Sequence, residues 1–151
     1  MFLKEELEKI NRNIKLYVDM DGVIADYNVG EACGYDKKRP LYDSIKKLEE
    51  VSKMPNVEMF VLSITRMTEG FNQKNEWLDK FASFFKKENR VIISREANSF
   101  ERSKVLKVKF LKELERYDST IILIDDDPAI LDEIKKNVPD VVLYKDTVLV
   151  D

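Results

Sequence analysis

Ile14-Lys15-Leu16-Tyr17-Val18-Asp19-Met20-Asp21-Gly22-Val23 is the stretch that decides the fold. The first five residues read as a buried strand, and two carboxylates one residue apart follow where it ends. In extended chain residues i and i+2 point to the same side, so Asp19 and Asp21 project together at the carboxyl end of that strand. Open α/β sheets place their ligands at such ends. Two anions so close repel unless a cation or a proton lies between them. Gly22 lets the chain turn away without a Cβ, leaving both acids at a mouth rather than in a core. A second acidic pair, Asp125-Asp126, closes another apolar run, Ile121-Ile122-Leu123-Ile124. That recurrence argues against a simple Asx turn.

Working outward, further short apolar runs span Val57 to Leu62, Val91 to Ile93 and Val141 to Tyr144. They are rich in β-branched residues and separated by helical patterns, which implies a parallel sheet. The spacings Tyr42/Ile45/Leu48, Trp77/Phe81/Phe85, Leu106/Phe110/Leu114 and Ile130/Ile134 each mark one buried helical stripe. Asp127 is positioned as an N-cap and Pro128 as the first helical residue, so a helix starts directly after Asp125-Asp126. Leu3/Leu7/Ile10 predicts a short additional helix at the edge. Right-handed crossovers distribute the helices over both faces, giving a three-layer α/β/α sandwich with a Rossmann-like five-stranded parallel sheet.

The 151 residues fit one domain, 1–151, with enough buried surface for a single core. With 26 basic and 29 acidic side chains the net charge of -3 gives no general attraction to nucleic acid or anionic membrane. No apolar run approaches a bilayer span, the N-terminus lacks an apolar signal core, and Cys33 is the only cysteine, so a cytoplasmic, reducing environment is expected. Histidine is absent, which removes Ser-His-Asp and Cys-His catalysis and leaves carboxylate, lysine, tyrosine or water for acid/base work. The polar residues at the strand ends are Asp19 and Asp21, Ser63 or Thr65, and Asp125 and Asp126, joined by a lysine early in the helix before the fourth strand. Hard oxygen ligands without histidine or cysteine favour Mg²⁺, which keeps exchangeable waters that a phosphate replaces.

In these features the chain resembles the haloacid dehalogenase-like (HAD) phosphatases. Their first motif, Asp-X-Asp-Gly-Val/Thr, is matched by Asp19-Met20-Asp21-Gly22-Val23; their second is similar to Val61-Leu62-Ser63, and their fourth to Leu123-Ile124-Asp125-Asp126. Lys74-Asn75-Glu76-Trp77-Leu78, Asn89-Arg90-Val91-Ile92-Ile93 and Asp19 through Tyr27 are more loosely similar to the deoxyribonucleotidase-like branch. The resemblance implies a spatial strand order 3-2-1-4-5 and a Mg²⁺-dependent phosphomonoester hydrolase working through an aspartyl-phosphate. Asp19 would be the nucleophile and a metal ligand, and Asp21 the general acid/base, ligating the metal through its main-chain oxygen. Asp125 would complete the protein ligands, Asp126 would hold a metal-bound water or support the ligands from behind, and Ser63 would donate to a phosphoryl oxygen.

For the lysine, Ser103 as N-cap would put Lys104 in the first turn, aimed at the strand ends, whereas Lys107 falls on the apolar Leu106/Phe110/Leu114 side; Lys104 is preferred. Ser63 is preferred to Thr65. Trp77, Phe81 and Phe85 read as core rather than a stacking platform, and Arg66, Arg95 and Asp26 stay outside the catalytic set. The intervals Tyr27 to Asn56 and Arg66 to Asn89 each hold about one helix, too little for a cap domain. An open site suits a phosphoprotein, a nucleic-acid end or another extended phosphorylated substrate, or closure by a second copy in a homo-oligomer; nucleotides and small metabolites also remain in the expected range. The alternative is a catalytically silent binding or regulatory module that keeps the sheet without turnover.

Overall fold

The computed structural model describes residues 2–27, 34–116 and 118–150; Cys33 lies outside the described residues. Five strands, β1 (Asn13–Val18), β2 (Val57–Thr65), β3 (Arg90–Ser94), β4 (Ser119–Asp125) and β5 (Val142–Lys145), form one parallel sheet in the order β3-β2-β1-β4-β5. β1 is central, and Val18 pairs with Val61 of β2 on one side and with Ile124 of β4 on the other. That register brings the residues after β1 and the last residue of β4 to the same sheet edge.

Alternation along the central strands divides the core in two. Leu16, Val18, Val61, Ile122 and Ile124 face a layer containing α1 (Phe2–Glu8), α2 (Tyr42–Ser52) and α3 (Gly70–Phe81), which supply Leu3, Leu7, Leu48, Val51 and Leu78. Tyr17, Leu62, Ile121 and Leu123 face the opposite layer, where α4 (Ser103–Glu113) and α5 (Pro128–Asn137) supply Leu111, Ile130 and Ile134. Continuous apolar strands with helices on both sides are what a parallel sheet requires, because neither face meets water.

Asp127 caps α5 as expected, its side chain accepting from Ala129 N at 2.9 Å, with Pro128 in the first turn. Three expectations need correction. α4 starts at Ser103 itself, after Arg102 and without a side-chain cap, so Ser103 is not its N-cap. α3 stops at Phe81 because Ala82 leaves helical φ/ψ, and Phe85 reaches the core from the turn that follows. Tyr42, the first residue of α2, is exposed rather than part of its buried stripe, which continues through Ile45, Leu48 and Val51.

Candidate active site

Carboxylates from two strand ends meet at the sheet edge. Asp19 follows β1, anchored by its N–H donating to the Ile124 carbonyl at 3.0 Å. Asp125 ends β4 and is fully buried, with one carboxylate oxygen accepting from Asp127 N at 3.0 Å. Oxygens of Asp19, Asp125 and Asp126 lie within 4.8 Å of one another. Asp126 reaches in over Gly22: a Cβ at Gly22 would stand 1.9 Å from Asp126 Oδ2, and Gly22 adopts φ +84°. The glycine therefore serves the turn and the approach of the acid together.

Lys107 completes this group. Its Nζ lies 2.6 Å from Asp125 Oδ2 and 3.2 Å from Asp19 Oδ1, with the side chain 2% exposed. This corrects the preference for Lys104, which among the described residues forms no ion pair and does not line the cleft. The physical reason lies on the helix surface. Leu106 and Leu111 are buried on either side of Lys107, and its aliphatic stem runs between apolar neighbours while the ammonium emerges at the strand ends. An apolar stripe does not exclude a lysine that meets carboxylates at its far end.

Asp21 stands apart from that trio. Its Oδ1 accepts from Lys38 Nζ at 2.6 Å and from the Tyr35 hydroxyl at 2.9 Å, and Lys74 Nζ lies 3.4 Å from Oδ2. Lys74, 3% exposed, also donates to Ser63 Oγ at 2.7 Å and to the Ile64 carbonyl at 2.8 Å. Ser63 is thus held through Lys74, with its own hydroxyl proton left to donate. Thr65 instead donates to the Met67 carbonyl at 3.3 Å, and a Cβ at Gly70 would stand 1.9 Å from its Oγ1. Arg95 is spent on loop carbonyls of Phe100 and Glu101, Asp26 pairs with Arg39, and Arg66 is exposed. Trp77 is buried core, as read, but its indole N–H also donates to the Lys38 carbonyl at 3.0 Å.

Tyr35, Lys38 and Lys74 were missed as site residues. Lys74 sits within a stretch that reads as ordinary amphipathic helix, and Tyr35 and Lys38 belong to a short turn, Tyr35–Lys37, and the residue after it. Only Lys74 had a signal, as a lysine within the loosely matched Lys74–Leu78 segment.

The charges shape proton affinity in two directions. Burial pushes the Asp19 carboxyl up to about 7, against the pull of Lys107 and with further push from Asp125 and Asp21. Asp126 is also raised, by burial and by Asp125. Burial opposes ionisation of Asp21 too, but Lys74, Lys38 and the Tyr35 hydroxyl outweigh it and hold this carboxyl below its ordinary value. Desolvation lowers Lys74, whereas Asp19 and Asp125 overcome desolvation and raise Lys107. Crowded carboxyls with raised proton affinity beside one held ionised make two chemically different halves of one cleft.

The cleft itself is about 170 Å³ and open, with Asp19, Asp21, Tyr27, Lys107 and Asp126 among its walls. A larger concavity of about 780 Å³ lies at the opposite, amino-terminal end of the strands, beside Asn13 and Asn56, and contains none of the clustered acids. Size alone is a poor guide here, because the clustered acids lie at the carboxyl edge.

No family model matches this sequence, and no curated protein does. Solved structures do match. A chain of the Pnkp1/Rnl/Hen1 complex superposes with a TM-score of 0.67 at 16% identity over 90% of this chain and 47% of that one. The HAD domain of effector protein Lem4 from Legionella pneumophila matches with a TM-score of 0.52 at 16% identity, over 88% of this chain and 85% of that one. The α/β fold is similar to that of the Lem4 HAD domain. A chain of the Pnkp1/Rnl/Hen1 RNA repair complex gives a TM-score of 0.68 at 14% identity over 89% of this chain and 42% of its own. This chain spans less than half the length of the repair-complex chains it matches, and at these identities the likeness concerns the fold. No helix among the described residues is long and apolar enough to cross a membrane.

Proposed function

We propose that the protein is a Mg²⁺-dependent phosphomonoester hydrolase that works through an aspartyl-phosphate on Asp19. The observation that carries this reading is the convergence of Asp19, Asp125 and Asp126 within 4.8 Å beside the ammonium of Lys107. The donor set fits a hard divalent cation: the oxygens come from carboxylates, no soft ligand is among them, and Asp19 and Asp126, raised by burial and further by neighbouring carboxylates, are groups whose charge a cation would stabilise. Asp19, Asp125 and Asp126 would hold the ion with the main-chain oxygen of Asp21, and the bound ion would offset charge on the phosphoryl oxygens.

The protein groups divide the remaining work. Asp19 attacks phosphorus, the ester P–O bond breaks as the Asp19–phosphorus bond forms, and the departing oxygen takes a proton from Asp21. A monoanionic ester brings the proton that Asp21 passes on. In the second half-reaction Asp21, held ionised by Lys38, Tyr35 and Lys74, accepts a proton from water as that water attacks the phosphoryl group and frees Asp19. Lys107 orients Asp19 and balances its charge, and Ser63, fixed by Lys74, donates to a phosphoryl oxygen. The substrate is a phosphorylated molecule small enough, or extended enough, to reach an open cleft.

The test is phosphate release from phenyl phosphate with and without Mg²⁺. Turnover that needs Mg²⁺ and disappears in Asp19→Asn is the expected result; sustained turnover by that variant, or phosphorylation that stops at one equivalent per chain, overturns the hydrolase reading.

A further inference from the structure

Asp21 has more donors than its place in the cleft requires, and they are not equivalent. Tyr35 and Lys74 are buried, whereas the Lys38 side chain keeps 18% of its surface exposed. If Lys38 leaves, the carboxylate keeps Tyr35 on Oδ1 and Lys74 near Oδ2, so no buried charge is orphaned. The backbone around Lys38 is held by its own hydrogen bonds, apart from the ion pair its ammonium makes. Trp77 donates to the Lys38 carbonyl, Asp26 N donates to the Arg39 carbonyl at 2.8 Å, and Leu41 N to the Ile24 carbonyl at 2.8 Å. The ammonium also stands 5.0 Å from the centre of the Tyr35 ring and 5.8 Å from that of Tyr27, an exposed ring that lines the cleft. A cation tethered at its base, flanked by two rings and resting on the acid that serves the leaving oxygen is placed to meet whatever that leaving group carries.

We propose that Lys38 is a leaving-group specificity residue that exchanges Asp21 for a second anion on the substrate, so that the preferred substrates are esters whose alcohol portion bears a further phosphate. This rests on the hydrolase reading above. Lys38 lies 2.6 Å from Asp21 Oδ1, so an anion on the alcohol close to the scissile oxygen comes within reach of the lysine's flexible end. Neutral leaving groups gain from it only through its hold on Asp21. The shared chemistry is a phosphate on the alcohol, carried by a nucleotide, a nucleic-acid end or a sugar.

Matched pairs test it: a nucleoside 3′-phosphate against the 3′,5′-bisphosphate, and glucose 6-phosphate against glucose 1,6-bisphosphate, with phenyl phosphate as a neutral reference. In wild type the second phosphate raises kcat/KM. Lys38→Met removes that advantage by about tenfold or more, the size of one charge-assisted hydrogen bond, while Lys38→Arg restores part of it. The pair that shows the effect identifies the source of the anion. Equal loss on phenyl phosphate and on the bisphosphates assigns Lys38 to Asp21 alone and overturns the proposal, as does no loss on any substrate. Calorimetric binding of each pair to Asp19→Asn, with and without Lys38→Met, separates the two readings. A second phosphate that tightens binding only when Lys38 is present supports the subsite whether or not phenyl phosphate turns over, and binding indifferent to Lys38 overturns it.

Discussion

Gly22 joins two requirements that no other residue meets at once: a backbone at φ +84° and a vacant Cβ direction into which Asp126 reaches. Gly22→Ala is expected to cost about 1–2 kcal/mol from the left-handed backbone alone. It also displaces Asp126, so Mg²⁺-dependent phosphate release falls further than stability does. Denaturant midpoints and initial rates on the same preparations check this, and an alanine variant with native rates would contradict it. Lys107 and Lys104 provide a second comparison. Lys107→Met leaves Asp125 and Asp19 buried without their cation, so activity is expected to collapse, whereas Lys104→Met should shift stability by less than about 0.5 kcal/mol and leave phosphate release near wild type. Assays of both variants decide which lysine serves the site. Lys107 was legible as a lysine on that helix but its contact with the acids was not, since a one-dimensional stripe cannot show that a buried side chain ends against acids from β1 and β4.

Arg90 ties β3 to α3. Its guanidinium donates to the Phe85 carbonyl at 2.9 Å, to the Asn75 carbonyl at 3.3 Å and to Asp79 at 2.7 Å, with the side chain 2% exposed. Arg90→Lys retains charge but loses the fork, and buried carbonyls left without donors are expected to cost about 1–3 kcal/mol in chemical denaturation. Because Arg90 lowers the Asp79 carboxyl below 3.8, the pair's contribution is present above that ordinary value and is lost as pH falls through the lowered folded value. An acid titration of stability is therefore shallower in Arg90→Lys than in wild type. The same element carries Lys74 and Trp77, so α3 was legible as a helix while its contacts were not: its buried face looked like core and is core, with one ammonium reaching Ser63 and Asp21 and one indole N–H donating to the Lys38 carbonyl.

Across the folded protein, Tyr17 reports on the sheet's second face. Its ring stacks on Phe60 at 4.5 Å and meets Phe110 edge-on at 5.6 Å, and burial raises the phenol from 10.0 to about 12. A raised folded value means that the neutral form is favoured by folding, so this stability is complete below pH 10.0 and is lost as pH climbs toward about 12. Tyr17→Phe should flatten that alkaline decline, measured by urea unfolding at stepped pH. A cation that binds only the folded chain also stabilises it, by about 2.7 kcal/mol at a hundred times its Kd. Mg²⁺ is thus expected to raise the thermal midpoint of wild type and to do so less in Asp126→Asn; equal shifts in both would remove Asp126 from the metal set. The two helical layers and the placing of Asp19, Asp21, Asp125 and Asp126 where apolar strands stop followed from the sequence, because periodicity and strand termini are local and a parallel sheet must bring its carboxyl ends together, whereas the strand order β3-β2-β1-β4-β5 was expected from the family resemblance. Which lysine meets the acids, and that Tyr35, Lys38 and Lys74 surround Asp21, were decided only by the tertiary structure. Those partners stand 14, 17 and 53 residues away along the chain, and ion pairing depends on distance in space, which no local pattern records.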